Sequence, residues 1–350
     1  MRTRTATVGA LPALRAHWSR APRLIAGSLL MTAGLVAATL STVAASYPGA
    51  TNGRLAFAVR GPDGVGIVSV RPNGQGVQHL TSGTGFNACA AYSADGQRIA
   101  YCSNQGGAFE IWTMKRSGGN QTQLTHLGGF AIFPDFSPSG RTVAFSGGEG
   151  TDPNDEIYLV DATTGGTLRQ LTSCGAFGPG CFNDYPAWSP DGTRIAFIHA
   201  DDVDVAGNPV NEQIWVMGAN GQHAHALTDG AAPKDQVPDW SPDGRRIAYA
   251  AGQFGSEGIW VMDADGSHNH QLTGCPSTDP ATCASGDDFG PTWSPDGRQI
   301  AFLRDFQGLG VADRPVMLMR ADGSDQHRLV SGAQIDFVPA WQPLGADTGD

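Results

Sequence analysis

One stretch, present in five copies, constrains this chain more than any other feature. It reads Trp240-Ser241-Pro242-Asp243-Gly244-Arg245-Arg246-Ile247-Ala248-Tyr249, and close copies begin at Tyr92, Phe136, Trp188 and Trp293. Ser, Pro, Asp and Gly suit positions i to i+3 of a type I turn, because proline fixes φ and glycine tolerates positive φ. An aromatic ahead of the turn and a β-branched or aromatic run behind it predict a pair of antiparallel strands.

A third strand is predicted at Glu110-Ile111-Trp112-Thr113-Met114 and at its counterparts starting at Glu156, Gln213, Gly258 and Pro315. A glycine-containing turn such as Asp263-Ala264-Asp265-Gly266 usually follows. Next comes a short element ending in Leu-Thr at Leu80, Leu124, Leu171, Leu227 and Leu272, or in Leu-Val at Leu329. That makes four strands per unit. The turn serines at 93, 137, 189, 241 and 294 lie 44, 52, 52 and 53 residues apart, and such a period belongs to propellers and solenoids.

The ends of the repeat choose between those two. The chain enters the pattern late, at Gly53-Arg54-Leu55-Ala56-Phe57, and leaves it early, at Val338-Pro339-Ala340-Trp341-Gln342-Pro343. The last fragment is the strand that the first unit lacks. A ring closed by pairing the two removes the sheet edges that a linear stack must cap. Counting the elements that end in Leu-Thr or Leu-Val gives six blades.

The pattern Pro-x-Trp-Ser-Pro-Asp-Gly-x-x-Ile-Ala-Phe, then Ile-Trp-Val-Met-Asp-x-x-Gly, then Leu-Thr resembles the WD40-like "PD40" repeat of TolB-type six-bladed β-propellers. The resemblance covers about residues 53 to 343. It implies an all-β, six-bladed propeller of four-stranded antiparallel blades, closed by pairing the C-terminal strand with the first blade. TolB proper carries an α/β domain ahead of its propeller, and that domain is not expected here. The frame alone leaves function open, since propellers host binding, scaffolding and several chemistries.

Residues 1–46 read as a signal peptide. Arg2, Arg4, Arg15, Arg20 and Arg23 precede an apolar run from Leu24 to Ala45 that ends in small residues. An uncleaved membrane anchor is the alternative, because a run of this length spans a bilayer; membrane association is expected only in that case. Residues 47–52 are a short linker, 53–343 the propeller and 344–350 a tail. Export is expected, to the periplasm, the cell envelope or the outside of the cell. Six cysteines agree with an oxidising compartment. Cys174 and Cys181 close a glycine-rich loop, and Cys275 and Cys283 close its counterpart. Cys89 and Cys102 straddle the Ser93–Gly96 turn and pair if the register is symmetric; a bulged loop would set them one residue apart.

The formal net charge of −11 falls to about −16 once the five leader arginines are removed. That disfavours nucleic acid, whose partners need basic patches, and favours cationic partners. Five residues before each blade's aromatic stand Asn87, Ala131, Asn183, Asp235, Asp288 and Asp336, with Asp184 and Asp287 beside them. In the TolB arrangement this strand is innermost, so these side chains are expected to ring one mouth of the channel. There they either receive a cation or basic peptide or cap backbone N–H groups and tie blades together.

The recurring aromatics Tyr92, Phe136, Trp188, Trp240, Trp293 and Trp341 are expected in inter-sheet packing, with Trp112, Trp215 and Trp260 against neighbouring blades. The histidines 79, 223, 225, 268, 270 and 327 are expected on a solvated edge. The loop at Asp201-Asp202-Val203-Asp204 begins like a calcium site through Asp202 and Asp204, but Gln213 stands where a carboxylate is expected. No Gly-x-Ser-x-Gly elbow, Walker loop or His-Glu-x-x-His is present. A non-catalytic platform for a protein or peptide at the channel mouth is therefore expected, as a monomer and without a cofactor. A channel-mouth hydrolase or lyase and a calcium-stabilised structural module are the alternatives.

Overall fold

A computed structural model of the chain describes residues 51–82, 85–150, 154–174, 181–203, 209–230, 235–252, 257–274, 287–305, 314–330 and 334–345. The leader, Cys275, Cys283 and Asp204 lie outside the described residues. Every named element is a β-strand. First come β1 (Thr51–Gly61), β2 (Gly64–Val70) and β3 (Gln78–His79), then β4 (Gly85–Tyr92), β5 (Arg98–Ser103), β6 (Glu110–Lys115) and β7 (Thr122–Gln123). The next unit is β8 (Phe130–Phe136), β9 (Thr142–Gly148), β10 (Glu156–Asp161) and β11 (Gly165–Gln170). After it come β12 (Phe182–Trp188) and β13 (Arg194–Ala200), an inserted pair β14 (Asp202–Val203) and β15 (Pro209–Val210), then β16 (Gln213–Gly218) and β17 (His225–Ala226). Two more units follow: β18 (Asp235–Trp240), β19 (Arg246–Ala251), β20 (Gly258–Asp263), β21 (His270–Gln271), and β22 (Asp287–Trp293), β23 (Gln299–Asp305), β24 (Val316–Arg320), β25 (His327–Val330). The last strand is β26 (Gln334–Leu344).

Units β8–β11, β12/β13/β16/β17, β18–β21 and β22–β25 are four-stranded antiparallel sheets. The remaining large sheet is eight-stranded and mixed, which corrects the expectation of antiparallel blades only. Within it β26, β1, β2 and β3 pair antiparallel in that order, as do β4 to β7. Two parallel pairs, Gly64 with Gly85 and Val65 with Phe86, join the halves. The physical reason recurs along the chain: at four junctions the start of a third strand runs beside the start of the next unit's first strand. There Ala131 N–H donates to Phe109 O (2.7 Å), Asn183 N–H to Asp155 O (2.9 Å) and Asp288 N–H to Glu257 O (3.0 Å). The expected pairing of the last strand is present, with Leu55 opposite Trp341 and Ala56 opposite Ala340.

The repeated motifs now have mechanical roles. In all five turns the glycine N–H donates to the serine carbonyl at 2.8 Å, with glycine φ between 64° and 69°. Serine Oγ donates to the turn's aspartate in four of them, as from Ser189 to Asp191 (2.6 Å), while Ser137 meets Ser139; in each it accepts the N–H five residues on, as from Arg194 (2.9 Å). The threonine of Leu-Thr is a side-chain acceptor for the third strand. Ile67, Ile111, Ile157, Ile214 and Ile259 each donate their N–H to the Oγ1 of Thr81, Thr125, Thr172, Thr228 and Thr273, at 2.8 to 3.0 Å.

Neighbouring units are fastened through the aromatics. Arg98 lies over the Phe136 ring, Arg194 over Trp240 and Arg246 over Trp293, at 4.5 to 5.1 Å, where a cation gains from the ring's negative face. Asp135 accepts the Trp188 N–H and Asp239 the Trp293 N–H. The six aromatics are 0 to 5% exposed, as packing between sheets requires. Trp112, Trp215 and Trp260 are half-buried, and the six rim histidines are exposed.

The first strand of each of the five repeated units carries a bulge three residues before its aromatic. Cys89, Phe133, Tyr185, Val237 and Gly290 have φ of 54° to 74° where the register shifts. Cys89, Phe133, Tyr185 and Val237 belong to one buried apolar cluster, and the Phe133 and Tyr185 rings stack at 3.9 Å. The bulge sets Ala88 opposite Cys102, one residue out of symmetric register as foreseen, yet Cys89 and Cys102 are bridged with Cα atoms 5.5 Å apart. Cys174 and Cys181 form the second bridge.

Candidate functional site

The inner strands begin at the end of the sheets opposite the Ser-Pro-Asp-Gly turns, and the candidate side chains gather there. Where described, they are deeply buried: Asn87 is 3% exposed, Asn183 4%, Asp184 2%, and Asp287 and Asp288 0%. Asn87 Nδ2 donates to Val65 O and Ser82 O, both at 3.3 Å, and its Oδ1 accepts from Ser103 Oγ at 2.8 Å. Asp287 Oδ1 accepts the Glu257 N–H at 3.0 Å. Asp288 is clasped through both oxygens by Arg304, at 2.5 and 2.7 Å; burial still holds its carboxyl above the usual carboxylate range. These atoms bond within the protein, as blade-tying groups do. Asp235 opens β18 opposite Ala251, and Asp336 lies in β26.

A second tier of carboxylates was not singled out from the sequence. Glu110, Asp155, Glu156, Glu212 and Glu257 stand at or just before the third strands and are 2 to 4% exposed. Glu110 accepts from Thr125 Oγ1 (2.5 Å) and Gly128 N–H (3.2 Å); Glu156 accepts from Thr172 Oγ1 (2.6 Å) and Asn183 Nδ2 (3.1 Å). Glu212 accepts from Gln236 Nε2 of the next unit at 2.5 Å. Their recurrence one or two residues before Ile-Trp or Ile-Tyr was the available signal.

Asp184, on the inner-strand side of this tier, is strongly perturbed. Burial pushes its carboxyl up to about 7; contacts from Ser146 and the Tyr185 N–H oppose the shift, and the nearby negative Glu212 adds to it. Above these buried groups the rim is acidic too: Asp63, Glu149, Asp201 and Asp229 are exposed. Arg304 and Arg314 at the same end are tied to Asp288 and Asp305. Exposed Arg60 lies at this end as well, so among the described residues the four acidic side chains outnumber it over a hydrogen-bonded, carboxylate-rich underlayer.

Asp202 opens β14, facing Val210 across the inserted pair. Among the described residues no group of three or more His, Cys, Asp or Glu is arranged to hold a metal ion. At the turn end, a cleft of about 250 Å³ lies between Ser189-Pro190-Asp191 and Pro242-Asp243-Gly244, with Arg194 on its wall.

The class these sheets define is an all-β chain of repeated four-stranded antiparallel units. No family model matches the sequence. A protein of Chlorobium chlorochromatii named "Protein TolB homolog" is 30% identical over 159 residues, 45% of this chain and 32% of that protein. The "Tol-Pal system protein TolB" of Francisella tularensis is 25% identical over 163 residues, 46% of this chain and 34% of the relative. The crystal structure of TolB from Acinetobacter baumannii aligns with a TM-score of 0.65 at 22% identity, covering 85% of this chain and 68% of that one. The chain spans about a third of the length of these two curated relatives. Together the matches in sequence and in fold support a TolB-like propeller family.

Proposed function

We propose that the chain is an exported, six-bladed, closed TolB-like propeller that acts as a non-catalytic platform, in the envelope or outside the cell, for a basic protein or peptide. It works as a monomer and needs no cofactor. The observation that carries this reading is the polarity of one end. Exposed Asp63, Glu149, Asp201 and Asp229 surround the buried carboxylate tier there and outnumber exposed Arg60, while Arg304 and Arg314 of that end are already paired. Such a surface attracts cationic segments at long range and orients them. The pairing of β26 with β1 supports closure, and the two disulfides support an oxidising compartment. A name placing one relative in the Tol-Pal system supports a protein partner.

Affinity capture from envelope extracts, followed by titration of the recovered partner, tests the reading. Saturable binding that weakens with salt is expected, and the double variant Glu149→Lys/Asp229→Lys is expected to lose roughly tenfold or more in affinity, through a slower on-rate. Salt-independent binding, or charge-reversed variants that bind normally, would refute the location.

A further inference from the structure

His199 sits where three chain segments meet. It is 5% exposed and lies opposite Asn183 on β12 and Gln213 on β16, with the Trp215 ring 4.4 Å away and Phe197 edge-on at 6.5 Å. Its Nδ1 is 2.8 Å from Asn183 Oδ1, and its Nε2 is 2.7 Å from Asp201 Oδ1. The Asn183 amide has one workable orientation. Its Nδ2 lies 3.1 Å from Glu156 Oε2, an oxygen that also accepts from Thr172 Oγ1, so the amide nitrogen belongs on that side and the amide oxygen faces the ring.

Both ring nitrogens thus face acceptors. Two acceptors require two N–H donors, which the imidazolium has and the neutral ring lacks. With one proton on the ring, one contact has to open. Turning the Asn183 amide would set its oxygen against Glu156 in a buried place, which is expensive. The Asp201 side chain is 62% exposed, so water replaces the ring there at little loss. The Asp201 contact is the one that yields.

We propose that His199 is a proton-dependent fastening that holds Asp201, and with it the base of the β14–β15 insertion, onto its sheet. Asp201 directly precedes β14, whose pairs Asp202–Val210 and Val203–Pro209 close the described part of that insertion. Asp201 and, one hydrogen bond further, Glu156 are joined to the ring; Asp184 beside Asn183 and Glu212 just ahead of Gln213 are the further carboxylates on the flanking elements, which otherwise contribute the neutral Gln213, Trp215 and Phe197. Loss of the second ring proton leaves one acceptor without a donor, so the fastening opens as pH rises. The inference shares Asp201 with the partner reading but is read out by amide exchange with no partner present, so either can fail without the other.

Amide exchange of peptides spanning 199–212, in the full exported chain with EDTA present, tests it at pH 5.5 and pH 8.0 after correction for intrinsic rates. Loss of one such contact corresponds to roughly tenfold faster opening at pH 8.0. Asp201→Asn, whose amide accepts from or donates to either ring form, should flatten the difference. Asp184→Asn should preserve it, which separates this histidine from the other titrating group of that end. Equal protection at the two pH values, or an unchanged difference in Asp201→Asn, would overturn the proposal. So would a long-range nitrogen–proton NMR spectrum showing a singly protonated His199 ring at pH 5.5.

Discussion

Asp184 illustrates how a single buried carboxyl writes a pH dependence into the molecule. Its ordinary value is 3.8 and burial lifts it to about 7, so between those values the folded chain holds a proton that the unfolded chain has released. Stability from this group is therefore greatest at acid pH, falls as pH rises from about 4 to 7, and is flat above. At 1.36 kcal/mol per pH unit the fall amounts to about 4 kcal/mol at most. Buried Asp288, raised for the same reason, acts with the same sign. Asp184→Asn is expected to remove most of that slope and to raise the denaturant midpoint at pH 8, read by unfolding curves across pH 4 to 8. A variant as pH-sensitive as the parent would point elsewhere. The position of Asp184 beside Asn183 was legible in the sequence. Its burial was not, because nothing local in Asn-Asp-Tyr-Pro shows that Glu212, 28 positions away, shares the same enclosed space.

At the scale of elements, the turns and the four-strand unit were readable because each depends on neighbours in sequence: proline and glycine for the turn, alternation for the strands. The bulge was harder to see, since Cys, Phe, Tyr, Val and Gly occupy it in turn. One clue was present: Pro134, Pro186, Pro238 and Pro291 follow the bulged residue, and proline inside a strand marks a break in the ladder. The role of Leu-Thr also escaped, because a threonine accepting an N–H some 14 residues away looks locally like any strand former. The turns also pack on one another. A Cβ added to Gly192, at φ 69°, would lie 3.3 Å from Pro138 Cγ of the preceding unit. Gly192→Ala is expected to cost about 1 to 2 kcal/mol, from the positive φ and the crowded contact together. Chemical denaturation measures it; a neutral result would mean that the turn relaxes freely.

For the molecule as a whole, the late entry and early exit of the repeat were the most informative features of the sequence, and the pairing of Leu55 with Trp341 is what they anticipated. Trp341 and Trp240 are both fully buried in the same apolar cluster. If the terminal strand completes the first unit, the two tryptophans do equivalent work. Trp341→Ala and Trp240→Ala are then each expected to lose about 3 to 5 kcal/mol. A mild loss at Trp341 beside a severe one at Trp240 would show the last strand to be an ornament on an open arc.

The outermost strands carry a consequence of their own. β3, β7, β17 and β21 have two residues each, and Asn120, His223 and His268, close before three of them, turn the backbone into the left-handed region. A passing extended segment finds a ladder too brief and too bent to continue. Side-by-side knitting of copies is thereby blunted at these four edges, which leaves the longer β11 and β25 as the edges where it could start.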